Sequence, residues 1–401
     1  MVESGLLNFF ESFAKKESLF LSKKALQSSY IPETIHHRDE QVKKIANVLA
    51  PALRHDKPSN LFIYGKTGTG KTSTTKYVIK NMQYAAKGKN IPLEIFYLNC
   101  KLKRTADTEY RLMAQLASFF GKAVPPTGLP TDEVYKIFFD VVDKKRQTVI
   151  LVLDEIDQLV NKAGDGVLYN LTRINDDLSN SQISLIGISN DLLFVDNLDP
   201  RVKSSLSEEE VVFAPYNALQ LQSILKERVE LSFKKGVIGE GVIEKCAAYS
   251  ARDHGDARRA LELLRVSGEI AERNGNQKVK IEHIDEAEDS IEKDRVFETI
   301  KTQPKQHQAA LYSILSLQSK QNLIFTGEIY DFYKQICGKI NLRPLTQRRI
   351  SDILAELDVF GIINTKVISK GRYGRTREIS LSINKSTIPH IKKILEEGLD
   401  L

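Results

Sequence analysis

An octapeptide early in the chain reads Gly65-Lys66-Thr67-Gly68-Thr69-Gly70-Lys71-Thr72. It follows the apolar run Leu61–Tyr64 and fits the pattern G-x-x-x-x-G-K-[ST] of a phosphate-binding loop between a strand and a helix. The backbone N–H groups of such a loop cradle phosphates, so all eight residues are candidate nucleotide contacts. The Lys71 side chain reaches the outer phosphates, and the Thr72 hydroxyl is a Mg²⁺ ligand. The octapeptide therefore predicts binding of ATP or ADP together with Mg²⁺.

Apolar strand-like runs alternate with helical patterns from about residue 60 to residue 216. The runs are Leu61–Tyr64, Leu93–Asn99, Thr148–Asp154, Ile183–Asn190 and Glu210–Phe213. This alternation predicts an α/β domain in which helices cover both faces of a parallel sheet. The connection between the second and third runs is about fifty residues long, more than one crossover helix requires. It contains two helical patterns, about 107–121 and 131–146, so we predict an insertion here.

The third apolar run ends in two carboxylates, Asp154 and Glu155. Many strands end in solvated acids, so this feature alone is a weak signal. About eighty residues after a phosphate-binding loop it favours nucleotide hydrolysis. Asp154 is then the residue that holds the Mg²⁺ shell, and Glu155 is the base that orients and deprotonates the attacking water.

Three further polar residues fit the same site. Asn190 ends the fourth run, where its amide could position the water beside the γ-phosphate. Arg201, on a turn after Asp199-Pro200, and Arg258, at the start of a helical segment, could spread positive charge over the transferring phosphoryl group. Taken singly, each is equally consistent with a surface arginine or a cap at a strand end.

The excess positive charge lies at one end of the chain. The formal net charge is +6, yet residues 301–401 carry 16 Lys and Arg against 9 Asp and Glu, whereas residues 1–300 carry 42 against 43. Such asymmetry indicates an anionic partner for the C-terminal quarter, with nucleic acid the leading candidate.

The remaining composition indicates a cytosolic protein without a membrane partner, and a DNA partner would place it with the nucleoid. The three cysteines, Cys100, Cys246 and Cys337, show no metal-binding or redox spacing, which fits a reducing compartment. The apolar run Val149–Leu153 is far too short to cross a bilayer, and the N-terminus lacks the basic-then-apolar layout of a signal peptide.

The C-terminal quarter has the pattern of a winged helix. Three helical patterns come first. The second lies at about 327–337, and the third begins at Thr346, a plausible N-cap, and carries Gln347-Arg348-Arg349 opposite its apolar face. Two strand-like runs, Ile362–Ile368 and Glu378–Ile383, follow and enclose a basic tip. In a winged helix the third helix enters the major groove and the wing reaches phosphates or the minor groove.

Specific residues of this unit are therefore candidate DNA contacts. Gln347, Arg348 and Arg349 are expected to face bases, and Thr346 is a further candidate DNA contact. The predicted wing contacts are Lys370, Arg372, Tyr373, Arg375 and Arg377, without an acid between residues 362 and 377. Winged helices also serve as protein-docking modules, and that alternative stays open.

The order of the motifs resembles that of the AAA+ ATPases. The resemblance implies a sheet of strand order 5-1-4-3-2 and a helical lid. Asn190 would be sensor one and Arg258 sensor two. Arg201 would be an arginine finger, a residue that often completes a neighbouring subunit's site.

Several stretches resemble, more narrowly, the archaeal origin recognition complex subunit one / cell division control protein six family of replication initiators. They are Tyr30-Ile31-Pro32, His37–Gln41, Asn99-Cys100, Leu198–Val202, Phe213–Tyr216 and Gly255–Arg259. The resemblance covers nearly the whole chain and implies that Tyr30 and Pro32 line the adenine pocket, with Tyr216 and Arg228 adding contacts from the lid. The residues alone indicate a core aromatic at Tyr216 and a solvated helix residue at Arg228.

The insertion at about 101–140 corresponds in position to a family insertion that also contacts DNA. The implied contacts are Lys101, Lys103, Arg104 and Lys122. By its residues alone, the segment reads as an ordinary surface insertion.

The resemblance implies an ATPase domain at 1–205, a lid at 206–295 and a winged helix at 296–401. It also implies double-stranded origin DNA, a paralogous initiator subunit and the replicative helicase as partners, with slow ATP hydrolysis acting as a switch. Two alternatives are a transcriptional or signal-transduction ATPase that carries a winged helix, and a clamp-loader-type ATPase. The basic wing disfavours the clamp loader, and the motifs at Asp199–Arg201 and Gly255–Arg258 disfavour the transcriptional ATPase.

Overall fold

The computed structural model describes residues 17–101, 108–125, 127–206, 208–318, 324–369, 375–383 and 387–401. The chain divides into two compact units, Met1–Ile284 and Asp285–Leu401. Among the described residues, the model contains no helix whose length and apolar character would let it span a membrane.

A five-stranded parallel sheet forms the centre of the first unit. Its strands are β1 (Asn60–Gly65), β2 (Leu93–Asn99), β3 (Gln147–Asp154), β4 (Ser181–Ser189) and β5 (Glu208–Phe213). The order across the sheet is β2-β3-β4-β1-β5, and every neighbouring pair is parallel. Read from the opposite edge this is 5-1-4-3-2, so the expected order is confirmed.

Helices cover both faces of this sheet. They are α1 (Asp39–Leu49), α2 (Lys71–Gly88), α3 (Glu109–Phe119), α4 (Thr131–Val142), α5 (Ile156–Ala163), α6 (Gly166–Arg173) and α7 (Pro200–Leu206). On one face Ile150 and Val152 pack in a core with residues of α1 and α2, and on the other face Leu151 and Leu153 pack with α3 to α7. Burial on both faces explains why the strands read as continuous apolar runs.

The helix expected at 131–146 ends earlier, at Val142. Asp143 leaves the helix because its carboxylate accepts hydrogen bonds from the backbone N–H groups of Ser179, Asn180 and Ser181, at 2.9, 2.7 and 2.7 Å. The contact joins two turns that lie far apart in the sequence. Helical periodicity gives no information about such a partner.

Four helices follow the sheet, as the lid expectation requires. They are α8 (Ala218–Ser232), α9 (Val242–Arg252), α10 (Ala257–Arg273) and α11 (Ile281–Thr302), and α11 carries the chain from the first unit into the second. Asn217 and Gln220 form a capping box at the start of α8. Asp256 caps α10 by accepting hydrogen bonds from the backbone N–H groups of Arg258 and Arg259.

The second unit is a winged helix. It contains α12 (Lys305–Gln318), β6 (Ile324–Phe325), α13 (Thr326–Lys339), α14 (Gln347–Val359), β7 (Ile363–Ser369), β8 (Arg375–Leu381) and α15 (Ile388–Leu399). The antiparallel sheet has the order β6-β8-β7. Ile350, Ile353, Leu354 and Leu357 are fully buried, as their spacing predicts.

Three features of this unit differ from the sequence expectation. The second wing strand covers Arg375–Leu381 rather than 378–383, because it pairs with β7 from Ser369↔Arg375 to Ile363↔Leu381. The two-residue strand β6 was not expected, since two residues show no periodicity. The C-terminal helix α15 was also not expected, although Ile391, Leu395 and Leu399 bury one face of it.

Candidate nucleotide-binding site and nucleic-acid interface

A cleft lies in the first unit, and residues of the phosphate-binding loop, the sheet and the lid line it. It contains most of the predicted nucleotide contacts. These are Tyr30, Pro32, Gly68, Thr69, Gly70, Lys71, Thr72, Asp154, Asn190, Tyr216, Arg228 and Arg258. Four predicted residues, Gly65, Lys66, Thr67 and Glu155, belong to the same loop or strand end but are not among the lining residues.

Two glycines of the loop are required by close packing. Gly68 and Gly70 have φ angles of +70° and +92°, a backbone conformation that residues other than glycine rarely adopt. A Cβ atom on Gly68 would lie 1.7 Å from Asp256 Oδ1, and one on Gly70 would lie 2.6 Å from the Tyr216 hydroxyl. The carbonyl of Gly68 also accepts a hydrogen bond of 3.1 Å from the N–H of Ala257, so the start of α10 rests directly on the loop.

Lys71 is buried, and its ammonium group uses all three donors. Nζ donates to the carbonyl oxygens of Gly65 and Lys66 at 2.7 and 2.8 Å and to Asn190 Oδ1 at 2.9 Å. Burial lowers the pKa of Lys71 to about 8, and the Asp154 carboxylate opposes this shift. The contact with Asn190 brings two predicted site residues together.

The Asp154 carboxylate is held by three donors. Oδ1 accepts the N–H of Glu155 at 3.0 Å, and Oδ2 accepts the Thr72 hydroxyl at 3.0 Å. Oδ2 also accepts a short hydrogen bond from the hydroxyl of Tyr97. Burial and the neighbouring Asp154 carboxylate raise the pKa of the Tyr97 phenol, which therefore remains a donor. The sequence analysis did not identify Tyr97, because no nucleotide-binding motif includes it.

Glu155 is the N-cap residue directly before α5 and has a left-handed backbone conformation, with φ of +56°. Such a φ is uncommon for a residue other than glycine, and functional sites often contain such residues. Glu155 Oε2 lies 3.7 Å from Nζ of Lys101, a side chain that the family resemblance assigned to DNA. Because the Lys101 side chain is 70% exposed, this ion pair contributes little to stability.

The two predicted arginines occupy different places. Arg258 is exposed at the start of α10 and lines the cleft. Arg201, on α7, is not a lining residue of the cleft. Its guanidinium group contacts the Asp199 carboxylate at 3.1 and 3.2 Å, and its side chain is 84% exposed. The structure therefore does not bring Arg201 to the site of its own chain.

Aromatic rings also line the cleft, those of Tyr30 and Tyr216. Tyr216 is buried, as the residues alone predicted. Arg228 is also buried, with 6% exposure, so the prediction that it is a solvated helix residue is wrong. The Arg228 guanidinium lies 4.6 Å from the ring centroid of Tyr30. Its Nε and Nη1 atoms have no hydrogen-bond partner among the described residues.

Arg38 is a second residue whose role the sequence did not reveal, although it belongs to the family-like stretch 37–41. It is 4% exposed, and its Nε donates to the carbonyl of Thr69 at 3.0 Å. Nη2 donates to the carbonyl of Ala214 at 2.6 Å, and the guanidinium stacks 3.9 Å from the ring centroid of Tyr216. Arg38 thus joins the phosphate-binding loop to the segment that leads into the lid.

The second unit presents a basic helix start to solvent. Thr346 caps α14 by accepting the N–H of Arg349, and Gln347, Arg348 and Arg349 are all exposed. Arg377 of β8 donates from Nη1 to the carbonyl of Ser351 at 2.8 Å, which ties the wing to α14.

Part of the predicted DNA interface lies outside the described residues. Lys370, Arg372 and Tyr373 of the wing tip and Lys103 and Arg104 of the insertion belong to this group, and the side chain of Arg375 is not described. Lys122 is exposed after α3. These residues stay predictions.

Three family models match the chain. The AAA domain matches residues 54–194, the Cdc6 AAA+ ATPase-type lid domain residues 222–289, and the CDC6 C-terminal winged helix domain residues 298–390. Each match falls on the part of the structure that has the corresponding architecture.

Curated relatives match almost end to end. The ORC1-type DNA replication protein of Pyrococcus abyssi is 51% identical over 387 residues, which is 95% of this chain and 92% of the relative. The chain belongs to the ORC1-type DNA replication protein family. ORC1-type DNA replication protein 1 of Methanosarcina acetivorans is 49% identical over 395 residues, 98% of this chain and 94% of the relative.

A solved structure of the ORC1-type family has the same fold. It is described as the Aeropyrum pernix ORC1 protein in complex with DNA, with a TM-score of 0.82 and 43% identity. The similarity covers 95% of this chain and 98% of that one. The expected AAA+ fold with a helical lid and a C-terminal winged helix is therefore confirmed for this ORC1-type chain.

Proposed function

We propose that this protein is an ATP-binding DNA replication initiator. It recognises origin duplex DNA through its winged helix and its AAA+ insertion, and it helps to load the replicative helicase. The nucleotide state acts as a slow switch. A paralogous initiator subunit is a further proposed partner, and the proposed location is the cytoplasm, in association with the nucleoid.

The observation that carries the nucleotide part is the composition of one cleft. A phosphate-binding loop, a buried lysine, an exposed arginine and two aromatic rings line the same cleft. The Nε and Nη1 atoms of Arg228 are buried there without a hydrogen-bond partner, which is costly unless a ligand supplies one. A nucleoside triphosphate offers both phosphate oxygens and a flat base to such a cleft.

Thr72 and Asp154 are the residues that fit Mg²⁺. Their hydroxyl and carboxylate oxygens lie 3.0 Å apart at the start of α2 and the end of β3. Oxygen ligands of this kind, together with phosphates, suit Mg²⁺. Held by Thr72 and Asp154, Mg²⁺ would supply neutralisation of the charge that develops during phosphoryl transfer.

The proposed hydrolytic roles are those that the motifs predict. Glu155 accepts the proton of the attacking water at its carboxylate. Lys71, Asn190 and Arg258 contact the phosphates and stabilise the transferring group. Arg201 is exposed outside its own cleft, so we propose that it serves the cleft of a neighbouring subunit.

The DNA part rests on exposed basic residues and on charge. Arg348 and Arg349 are exposed at the start of the helix that a winged helix inserts into the major groove. The relative in the Aeropyrum pernix structure is a DNA complex, which supports the same class of partner here. Lys101, Lys122 and the wing add contacts to the phosphates.

Two variants test the assigned nucleotide chemistry. Lys71→Ala should abolish tight ATP binding, and Glu155→Ala should bind ATP with wild-type affinity without hydrolysing it. The measurements are titration of a fluorescent ATP analogue and phosphate release. Nanomolar ATP binding by Lys71→Ala would contradict the phosphate-loop role, and unchanged turnover in Glu155→Ala would move the base elsewhere.

A further inference from the structure

Tyr97 lies beside the predicted Mg²⁺ ligands. Its hydroxyl donates to Asp154 Oδ2, the same oxygen that accepts the Thr72 hydroxyl at 3.0 Å. Asp154 is 5% exposed, so few water molecules compete for these hydrogen bonds. The Tyr97 phenol therefore contacts a predicted residue of the site directly.

The sheet explains why this tyrosine reaches Asp154. Strands β2 and β3 are parallel neighbours, with Tyr97 opposite Val152 and Asn99 opposite Asp154. Tyr97 is thus a diagonal neighbour of Asp154, a separation that a long aromatic side chain can span. Its ring packs against the core beneath α2, and Lys76 Nζ lies 4.4 Å from the ring centroid. The ring is fixed on both sides, so the hydroxyl has little freedom to move away.

We propose that Tyr97 is a positioning residue that orients the Asp154 carboxylate and thereby sets the Mg²⁺ affinity of the nucleotide site. This inference rests on the proposed nucleotide function. Oδ1 of Asp154 is held by the N–H of Glu155, and Oδ2 by Tyr97 and Thr72. With both oxygens held, the carboxylate cannot rotate about its terminal bond.

The orientation of Asp154 determines what Thr72 offers to a cation. Because the Thr72 hydroxyl donates its proton to Oδ2, its lone pairs stay available for a metal ion. A carboxylate that rotates freely would allow the hydroxyl to rotate as well. Groups that hold a metal ligand in place in this way commonly contribute about 10- to 100-fold to metal affinity.

The test is Tyr97→Phe in the full-length protein, because phenylalanine keeps the ring and its contact with Lys76 and removes only the hydroxyl. The affinity for fluorescently labelled ADP is measured in EDTA and over a Mg²⁺ titration. We expect wild-type affinity in EDTA and a Mg²⁺ concentration for half-maximal effect that rises about 10- to 100-fold. Melting curves in EDTA should show a single cooperative transition, lowered by no more than the loss of one hydrogen bond explains.

Tyr135→Phe is the matched control. The Tyr135 hydroxyl also donates to a carboxylate in a partly buried setting, at 2.7 Å from Glu109 Oε1. It does not line the cleft. This variant should leave the Mg²⁺ dependence of ADP binding unchanged.

A double variant separates positioning from general loosening of the fold. If Tyr97 acts through Asp154, adding Tyr97→Phe to Asp154→Asn should not change the Mg²⁺ dependence further. Equal weakening in EDTA and in Mg²⁺, or an unchanged Mg²⁺ titration of Tyr97→Phe, would overturn the inference. A wild-type protein whose ADP binding ignores Mg²⁺ would instead contradict the Mg²⁺ site of the proposed function.

Discussion

A guanidinium group without hydrogen-bond partners is costly inside a protein, because it has lost its water. Arg228 is 6% exposed, and its Nε and Nη1 atoms have no partner among the described residues. Its contact with the ring of Tyr30, 4.6 Å away, compensates for only part of that cost. A residue that is unfavourable for the ligand-free fold and favourable for a ligand trades stability for binding.

This trade predicts opposite effects of one substitution. Arg228→Met should leave the melting temperature of the ligand-free protein unchanged or higher, because two buried donors without hydrogen-bond partners are removed. ADP affinity should fall about tenfold, equivalent to about 1.4 kcal/mol. Melting curves without nucleotide and an ADP titration measure the two effects.

Lys226→Met provides the control for this prediction, since it removes an exposed cation from the same helix, α8. It should change neither quantity. A clear drop in melting temperature for Arg228→Met with unchanged ADP affinity would show that the residue is structural.

The lowered pKa of Lys71 predicts that nucleotide binding is accompanied by proton uptake. Burial lowers its pKa to about 8 in the ligand-free protein, so near pH 8 about half of the side chains are neutral. Phosphates favour the ammonium form and raise the pKa again, so binding takes up protons. The uptake should be about half a proton per ADP at pH 8 and should vanish near pH 6, where Lys71 is already charged.

Calorimetric ADP titrations in two buffers of different ionisation enthalpy measure this uptake. Lys71→Arg is the control because its guanidinium stays protonated throughout this range. Equal binding enthalpies in both buffers at pH 8 would contradict the predicted role of the ammonium group.

At this scale, the sequence predicted the residues whose chemistry is local. The pattern of residues 65–72 predicts the loop, and an apolar strand that ends in Asp154 and Glu155 predicts the acids. The burial of Arg228 could not be predicted, because it depends on packing with Tyr30, almost two hundred residues earlier in the chain. Tyr97 was missed for the same reason, since its contact with Asp154 arises only when β2 and β3 pair.

Helix α14 is the element that we propose reads DNA. Its core side was predicted from spacing, and its start from the Thr346 cap, since both signals lie within a few residues. The strand boundaries of the wing were shifted because pairing with β7, rather than apolar content, fixes where β8 begins. The exposed residues at the start of α14 remain available for base edges.

The substitution Arg348→Ala with Arg349→Ala tests this element. If both side chains read bases, the preference for origin DNA over a scrambled duplex should fall by about 1–3 kcal/mol for each lost contact. Fluorescence anisotropy on the two labelled duplexes measures the preference.

A matched pair of substitutions controls for lost charge alone. Lys305→Ala with Lys393→Ala removes two exposed cations that form ion pairs with Asp400 and Glu397 on the same unit. This pair should keep the preference for origin DNA. If both double variants weaken binding to the origin duplex and to the scrambled duplex equally, the contacts of α14 are to the phosphate backbone and the base-reading role is wrong.

Across the whole molecule, the nucleotide cleft and the excess positive charge lie in different parts of the chain. The first unit carries the nucleotide cleft, and residues 301–401 carry the excess positive charge. Composition and motif order predicted this division, because both are properties of long segments. Two contacts could be seen only in the folded chain, because each joins segments far apart in sequence. They are the hydrogen bond from Arg38 to the loop and the hydrogen bond from the N–H of Ala257 to the carbonyl of Gly68.

The proposed function requires that nucleotide state alters how the whole chain holds DNA. Lys71 and Arg258 line a cleft between the loop and the lid, and Arg38 and α10 connect the two. A ligand shifts a conformational equilibrium only if it binds the two states differently. ATP and ADP differ at the γ-phosphate, which is the group that we propose these cations contact.

The most direct test is anisotropy of the full chain on labelled origin and scrambled duplexes, with ATP or ADP and over a range of salt. We expect tighter binding to origin DNA, a steep salt dependence, and an affinity that differs between ATP and ADP in the wild type but not in Lys71→Ala. Equal affinity for both duplexes in either nucleotide state, or no duplex binding at all, would contradict a nucleotide-switched origin-binding protein.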